Sequence, residues 1–222
     1  MAFTVEKRLA PSKKWMVFSI FIALGASAIV SAILLKFTGA DVGVAYAAMF
    51  DGAFGDKRAI GKTLIKATPI ILTGIAVTVA FRAKIWNIGA EGQLFAGALA
   101  SYWAYLLLGP GAGAYILPLI FLAGFIGGGL YGGLAGFLRS RFQINEVLTT
   151  VMLNYVIIFF MSFMLVSGPW RDPSSHFAQT PRIDKSVWLP KIMDGSKLHI
   201  GFLIAVVCAI AVYVMLTRSS FG

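Results

Sequence analysis

The stretch WMVFSIFIALGASAIVSAILL, residues 15–35, runs for twenty-one residues without a charged side chain. At about 1.5 Å of rise per residue, a helix of this length crosses the roughly 30 Å hydrocarbon core of a bilayer. A cleaved signal peptide would have a shorter apolar region with a small-residue cleavage site close behind it. Here the nearest such pattern, at Ala45 and Ala47, follows only after the run has ended. We therefore expect an uncleaved first transmembrane helix.

Five further apolar runs follow along the chain, at residues 64–81, 89–108, 116–138, 147–166 and 200–216. Their lengths are typical of transmembrane helices rather than of strands. The sequence therefore predicts an all-α polytopic membrane bundle with about six transmembrane helices. The basic stretch around residues 82–93 is compatible with a simple loop or with a broken or re-entrant helix, which membrane proteins tolerate beside protein or a water-filled path.

The composition excludes several other classes of protein. Of 222 residues 59% are apolar and only 13% are charged, and the mean hydropathy is +0.84. A soluble fold of this size could not hide that much apolar surface, which excludes a soluble enzyme and a disordered regulator. Cys208 is the lone cysteine, so no intrachain disulfide can form and a secreted disulfide scaffold is excluded.

The net charge of +10 has two possible explanations. In a soluble protein it would suggest nucleic acid as a partner, but the sequence carries no RNA-binding signature, and we predict no such partner. In a membrane protein the same excess is expected from cytoplasmic Lys and Arg next to anionic lipid headgroups. Membrane lipid is therefore the partner that the charge predicts.

The distribution of Lys and Arg predicts an orientation. With six crossings, the inner segments 1–14, 82–88, 139–146 and 217–222 carry nine basic residues in 35 positions, and the longer outer segments carry eight. This bias places the N-terminus in the cytoplasm. We expect a single transmembrane domain over residues 1–222, with a cytoplasmic tail at 1–14 and an extracytoplasmic loop at 168–199. That loop could dock a delivery protein or lie on the membrane as an amphipathic lid.

The chain carries no recognisable catalytic or metal-binding motif. The segment from Gly55 to Thr63 resembles a phosphate-binding loop, but it has five residues between its glycines instead of four, and no strand precedes it. His176 and His199 lie far apart in one polar segment, which is typical of surface histidines. We predict no catalytic residue, no metal ion and no cofactor.

Polar side chains beside the second and third runs form the first candidate site. Asn87, Glu91 and Gln93 lie at membrane depth, where ionisable and polar groups tend to face a cavity or a partner. Asn87 and Glu91 are four residues apart and would share the face of a continuous helix. Alternatively, Asn87 caps a helix and Glu91 lies in its first turn, next to the positive end of the helix dipole.

A second set of polar residues lies in the fifth run. Asn145 is predicted to cap the helix, and Glu146 suits its first turn. Thr150 and Asn154 follow on one face, four residues apart, where a buried amide must be hydrogen-bonded. They either join this helix to a neighbour or line a polar substrate path.

The fourth run is unusually rich in glycine. Four of these glycines repeat at intervals of four residues: Gly124, Gly128, Gly132 and Gly136. Small residues at this spacing let helix backbones approach closely, so we expect a helix-packing face. A flexible gating helix is the alternative.

Two blocks of sequence carry a family resemblance. FRAKIWNIGAEGQLFAGA, residues 81–98, and NEVLTTVMLNY, residues 145–155, are similar to the membrane-spanning permease of bacterial ABC importers, in the branch near the ribose and branched-chain amino-acid permeases. The pattern most resembles the nucleoside and simple-sugar type served by basic-membrane-protein lipoproteins. NIGAEGQ, residues 87–93, is the most specific element, and the resemblance covers about residues 64–222.

The resemblance implies partners that the residues alone do not. It implies a second permease subunit, identical or paralogous, two cytoplasmic ABC ATPase subunits and an extracytoplasmic substrate-binding lipoprotein. It also implies a bacterial cytoplasmic membrane and a permease without catalytic chemistry. Since members of the family continue beyond the point that corresponds to Gly222, we expect this chain to lack the C-terminal third of a permease.

Three interpretations of function remain open. The first is a permease subunit that passes a nucleoside, a simple sugar or another heterocycle along a path near Asn87, Glu91, Gln93, Thr150 and Asn154. The second is a secondary transporter or channel in which Glu91 couples transport to an ion gradient. The third is a membrane-embedded structural subunit that binds no substrate.

Overall fold

The computed structural model describes residues 12–109 and 115–219, and within these ranges the regular secondary structure is helical. Two short turns interrupt the pattern, a π-helical turn at Asp51–Gly55 and a 3-10 turn at Lys185–Val187. The described residues contain an isolated antiparallel bridge between Lys191 and His199 but no longer strand. The described residues form seven α-helices: α1 Lys13–Phe37, α2 Val42–Phe50, α3 Lys57–Arg82, α4 Ala90–Leu108, α5 Ile116–Phe142, α6 Glu146–Val166 and α7 Gly201–Arg218.

Each of the six apolar runs forms a helix, which confirms the prediction of a polytopic helical membrane protein. Among the described residues, five helices (α1, α3, α5, α6 and α7) are long and apolar enough to cross a bilayer. The third run, residues 89–108, forms α4, which has 19 residues, carries Glu91 and Gln93 near its start and is not among these five. The short helix α2 was not predicted. Most of the proposed cytoplasmic tail, residues 1–11, lies outside the described residues.

The chain divides into two compact units, and the first ends at Ile60. In this unit, Asp41 caps α2 by accepting the Val44 N–H at 2.9 Å. The Tyr46 hydroxyl donates to the Ala28 carbonyl of α1 at 2.6 Å, which holds the two helices together. The large apolar side chains of α1 are exposed, as expected of a surface that faces lipid.

The second unit, Gly61–Gly222, is organised around close packing of α4 against α5. A Cβ atom on Gly97 of α4 would lie 2.9 Å from the Gly124 carbonyl oxygen of α5, and one on Gly128 would lie 3.0 Å from the Gln93 carbonyl oxygen. Real Cβ atoms essentially never approach as closely as the first of these distances. The two backbones therefore reach this separation because glycine leaves the space between them empty.

The chain leaves helical geometry between α3 and α4. Lys84 adopts the left-handed region with φ of 57°, the Ile85 N–H donates to the Ala80 carbonyl, and the Lys84 N–H donates to the Phe81 carbonyl. This pair of bonds is a Schellman motif, which satisfies the free carbonyls at a helix end. The chain is thus non-helical between Arg82 and Ala90, and we call residues 83–89 the break.

The connection between α5 and α6 lies at the same end of the unit as the break. Gln143, with φ of 54°, ends α5, and Asn145 caps α6 by accepting the Val147 N–H at 2.9 Å. The predicted N-cap at Asn145 is therefore confirmed. An ion pair between Arg139 and Glu146 joins the last turn of α5 to the first turn of α6. We call this end of the unit the break end.

The segment between α6 and α7, residues 167–200, lies at the opposite end, which we call the loop end. Trp170 packs edge-on against Tyr102 of α4 at 5.0 Å between ring centroids. On the loop itself, the Asp172 carboxylate accepts the Ser174 hydroxyl at 2.6 Å and the Ser174 N–H at 3.0 Å. These bonds, with the nearby charge of Arg182, hold the pKa of Asp172 below its ordinary value of 3.8.

The depressed pKa of Asp172 predicts a pH dependence of loop order. Because the pKa is lower in the folded loop than in an unfolded chain, the carboxylate stabilises the loop above about pH 3.8, and that contribution is lost as the pH falls through the folded value. We expect hydrogen-exchange protection factors at residues 172–179 to fall in this acidic range. Asp172→Asn should lower protection at neutral pH and remove the dependence; a pH-independent native loop would contradict the assignment.

Candidate functional site

A polar stripe on α6 faces the break. Its three side chains are spaced four residues apart, at Glu146, Thr150 and Asn154, so they lie on one side of the helix. Each contacts the backbone of the break or of the first turn of α4. The Glu146 carboxylate meets the Trp86 N–H, and the buried Thr150 hydroxyl accepts the Ile88 N–H at 3.2 Å. The stripe therefore supplies hydrogen-bond partners to backbone that has left helical geometry.

Asn154 provides the strongest of these contacts. Its Oδ1 accepts the Gly92 N–H at 2.8 Å, and its Nδ2 donates to the Ile88 carbonyl at 3.0 Å. The first four N–H groups of a helix have no partner within the helix, and α4 has Gly89 at its N-cap position, without a side chain to supply one. Asn154 thus caps α4 from a neighbouring helix, sixty-two residues away in sequence.

Two glycines allow α6 to come close enough for these bonds. A Cβ on Gly92 would lie 2.5 Å from Asn154 Oδ1 and 3.0 Å from Asn154 Cα. A Cβ on Gly89 would lie 3.0 Å from Thr150 Cβ. The glycines in NIGAEGQ therefore have a steric role at the contact between α4 and α6.

Glycines of α5 shape the other side of α4. A Cβ on Gly124 would collide with the Ser101 hydroxyl, and one on Gly132 would lie 3.1 Å from the Gln93 side chain. Gly128 approaches the Gln93 backbone, as described above. A Cβ on Gly136 would meet no heavy atom within 4 Å, and Gly136 lies on a cavity wall instead. Of the four glycines spaced by four, three thus lie against α4.

Three cavities follow the seam between α4 and α5. The first, at the break end, has a volume of about 570 Å³ and is lined by Asn87, Gln93 and Thr150 among others. The second, in the middle, has about 610 Å³ and shares Gln93, Gly128 and Gly129 with the first. The third, at the loop end, has about 610 Å³ and shares Ser101 with the second. Shared wall residues thus link the three cavities from one end of α4 to the other.

The structure brings together most of the residues selected from the sequence. Asn87, Gln93 and Thr150 line the break-end cavity, and Asn154 lies beside them through its bonds to Ile88 and Gly92. Glu91 lies apart from them, exposed in the first turn of α4 and outside the walls of the three cavities.

The expected shared helix face of Asn87 and Glu91 does not form, because α4 begins only at Ala90. Asn87 instead closes a local turn, in which its Oδ1 accepts the Gly89 N–H at 2.8 Å. An Asn side chain that bonds to its own backbone two residues on favours a turn over a helix.

Sequence reasoning missed the residues that line the loop-end cavity. Tyr102, Tyr105 and Trp188 come from α4 and from the loop, and they meet only in the folded unit. The signal available in α4 was the cluster of aromatic residues in its C-terminal half, at positions 102–105. Among the described residues, no group of three His, Cys, Asp or Glu side chains is placed to hold a metal ion.

Comparison with known proteins identifies the second unit. Residues 59–222 match the family described as the branched-chain amino acid transport system permease component. This chain belongs to that family. The match begins within two residues of the start of the second unit, at Gly61, so the permease family region includes the break, the polar stripe and the three cavities.

Several curated permeases are similar to this one. The guanosine ABC transporter permease protein NupP of Bacillus subtilis is 34% identical over 91% of this chain and 58% of its own length. The glucose ABC transporter permease protein TsgB13 of Haloferax volcanii is 32% identical over 98% of this chain and 60% of its own. The nucleoside ABC transporter permease protein NupB of Lactococcus lactis is 32% identical over 80% of this chain and 50% of its own.

The chain spans between half and three-fifths of the length of these relatives. No solved structure matches it significantly.

Proposed function

We propose that this permease is the membrane-spanning subunit of an ATP-driven importer that passes a nucleoside or a simple sugar across a bacterial cytoplasmic membrane. The linked cavities along the α4–α5 seam carry the proposal. A solute that crosses a bilayer needs a polar or protein-lined route, and these cavities share walls from the break end to the loop end. The permeases named for guanosine, nucleosides and glucose support the same class of solute.

The proposed path runs past the residues selected from the sequence. Asn87, Gln93 and Thr150 offer uncharged hydrogen-bonding groups on the wall of the break-end cavity. The charged residues on that wall, Arg139 and Glu146, are paired with each other, so the wall suits a polar solute without net charge. Asn154 keeps this wall in place, and Glu91 lies at the start of α4 beside Ala90, a residue of the middle cavity. Gly124, Gly128, Gly132 and Gly136 allow α5 to form the facing wall.

The proposal includes partners and an orientation. The higher density of Lys and Arg at the N-terminus and at the break end supports an orientation with both in the cytoplasm and the loop end outside. Two ABC ATPase subunits would then act from the break end, and a substrate-binding lipoprotein would deliver solute at the loop end. A second permease subunit completes the pair. This chain supplies no catalytic chemistry, and hydrolysis of ATP on the ATPase subunits switches the path between its two openings.

Transport in proteoliposomes tests the proposal. We expect uptake of a labelled nucleoside by the permease, reconstituted with the ATPase and lipoprotein encoded beside it, to require ATP and to survive collapse of ion gradients. Gln93→Leu should reduce uptake roughly tenfold, because it removes a hydrogen-bonding group from both the break-end and middle cavities. The control is Ser162→Ala, an exposed position on α6 outside the three cavities.

The outcomes separate the proposal from ion-coupled transport. Uptake that follows a proton or sodium gradient without ATP, and that is lost in Glu91→Gln, would show that the protein is a secondary transporter and not part of an ATP-driven importer. Absence of binding and uptake for nucleosides and sugars in every assembly would indicate a structural subunit. If Gln93→Leu transports as fast as the native permease, the path does not follow the α4–α5 seam.

A further inference from the structure

The loop-end cavity has the dimensions of a small-molecule site. Its volume of about 610 Å³ falls within the range of ligand pockets, roughly 300–1,000 Å³. The C-terminal half of α4 forms one wall, the first turns of α5 form another, and residues 183–199 cover it. It lies at the opposite end of α4 from Asn87 and Thr150.

Aromatic rings supply much of the wall. The Tyr105 hydroxyl accepts the Asp184 N–H at 3.2 Å, and the Trp188 Nε1–H donates to the Ile183 carbonyl at 3.1 Å. The Tyr102 ring lies 6.2 Å from the Tyr105 ring. Because the loop already engages the polar ends of Tyr105 and Trp188, what these side chains offer to a ligand is ring surface. Such surface favours a flat, unsaturated ligand that can stack.

The charged and imidazole groups around the cavity are hydrogen-bond donors. Lys191 and Lys197 contribute ammonium groups. The Nδ1 atom of His199 accepts the Gly201 N–H at 3.2 Å, so the neutral imidazole carries its hydrogen on Nε2 and offers a donor there. No carboxylate lines the cavity within the described ranges, and the Ser101 hydroxyl on its wall donates to the Ile120 carbonyl. This set matches a ligand with several acceptor atoms.

We propose that the loop-end cavity is a binding site for a nucleoside, held through its base. The ring nitrogens and carbonyl oxygens of a base are acceptors for Lys191, Lys197 and His199, while the base stacks on Trp188 and the tyrosines. A simple sugar could accept hydrogen bonds from the same groups through its hydroxyl oxygens, but it has no flat unsaturated ring to stack on the aromatic wall. A cationic solute would meet two ammonium groups and no carboxylate. The inference rests on the proposed function, since it selects one of its two solute classes.

Equilibrium binding to the purified 222-residue protein in nanodiscs, without ATPase or lipoprotein, tests the site. We expect saturable binding of inosine, measured by calorimetry or by ligand-observed NMR. Hypoxanthine, the base alone, should compete with it, and ribose and glucose should not. Trp188→Ala should weaken inosine binding about tenfold, the loss expected when one stacking partner is removed. Lys191→Gln should also weaken it.

Two further variants separate a binding role from a folding role. Trp188→Phe keeps a ring in place and should retain most of the affinity even if the alanine variant disturbs the loop. Trp103→Ala removes an exposed tryptophan of α4 that lies outside the cavity walls and should leave binding unchanged. Equal losses in the Trp188→Ala and Trp103→Ala variants would overturn the proposal.

Other results would also overturn the site, and they are distinguishable from failure of the proposed function. Competition by ribose as strong as by hypoxanthine would assign the cavity to sugars, and absence of inosine binding up to roughly 10 mM would remove the site. ATP-dependent uptake combined with either result would leave the importer intact and reject only this cavity. Inosine binding that depends on Trp188, without ATP-dependent uptake, would support the site and reject the proposed importer function.

Discussion

Replacing Gly92 with valine should separate α4 from α6 and lower the free energy of unfolding by about 3 kcal/mol. The new Cβ would lie 2.5 Å from Asn154 Oδ1 and 3.0 Å from Asn154 Cα. The amide could rotate away, at the expense of its bond to the Gly92 N–H, but the Cα belongs to the backbone of α6 and can move only with the helix. Both the packing and the cap of α4 are therefore affected.

Unfolding by SDS in mixed micelles measures this change, and Gly133→Val provides the matched control. Gly133 lies on α5, where a Cβ would meet no heavy atom within 4 Å. The same substitution there should change stability by less than about 0.5 kcal/mol. If both variants lost the same amount, valine in a helix would explain the effect, and the close approach of α4 and α6 would not.

The second large effect is expected for Asn154→Leu. Leucine has a similar volume but can neither accept the Gly92 N–H nor donate to the Ile88 carbonyl. An unpaired polar group away from water costs about 1–3 kcal/mol, so the loss of both bonds should reduce the free energy of unfolding by about 2 kcal/mol or more. The same unfolding measurement applies. A leucine variant as stable as the native permease would show that water replaces Asn154 at the break.

Two adjacent threonines provide a control for the polar stripe. Thr149 and Thr150 are both buried, and each donates its hydroxyl to a carbonyl of its own helix. Among the described hydrogen bonds of these two side chains, that from the Ile88 N–H to the Thr150 hydroxyl reaches the break. Thr150→Val should therefore cost about 1 kcal/mol more than Thr149→Val. Equal losses of stability in the two variants would show that the Thr150 hydroxyl stabilises only its own helix, α6, and not the break.

Local patterns in the sequence were sufficient to predict the membrane-spanning helices and the N-cap of α6. Apolar runs long enough to cross a bilayer leave few alternatives to a helix, because lipid offers no hydrogen-bond partners to the backbone. Asn145 was recognisable as an N-cap because its oxygen bonds to N–H groups only two and three residues ahead. The break was visible as a loss of apolarity, though its geometry was not.

Asn87 and Glu91 show where local reasoning was insufficient. Their spacing of four suggested one helix face, yet the turn closed by Asn87 delays the start of α4 to Ala90. That turn forms beside Thr150, which binds the next residue, Ile88. The start of α4 at Ala90 thus reflects the local turn of Asn87 together with a hydrogen bond from a helix 62 residues later, and the second of these could not be predicted from residues 87–91.

Several features could be recognised from the sequence alone. The polar residues of NIGAEGQ and the Thr150–Asn154 spacing predicted polar contacts inside a membrane protein, and the repeated glycines of α5 predicted close helix packing. The sequence could not predict which of these residues contact each other, because a hydrogen bond or a glycine contact between helices depends on how each helix is rotated and shifted along its axis as well as on residue type. The structure selects Asn154 as the cap of α4 and places Glu91 outside the cavities. It also brings Tyr105 and Trp188 to one wall, since only packing brings together side chains that are distant in the chain.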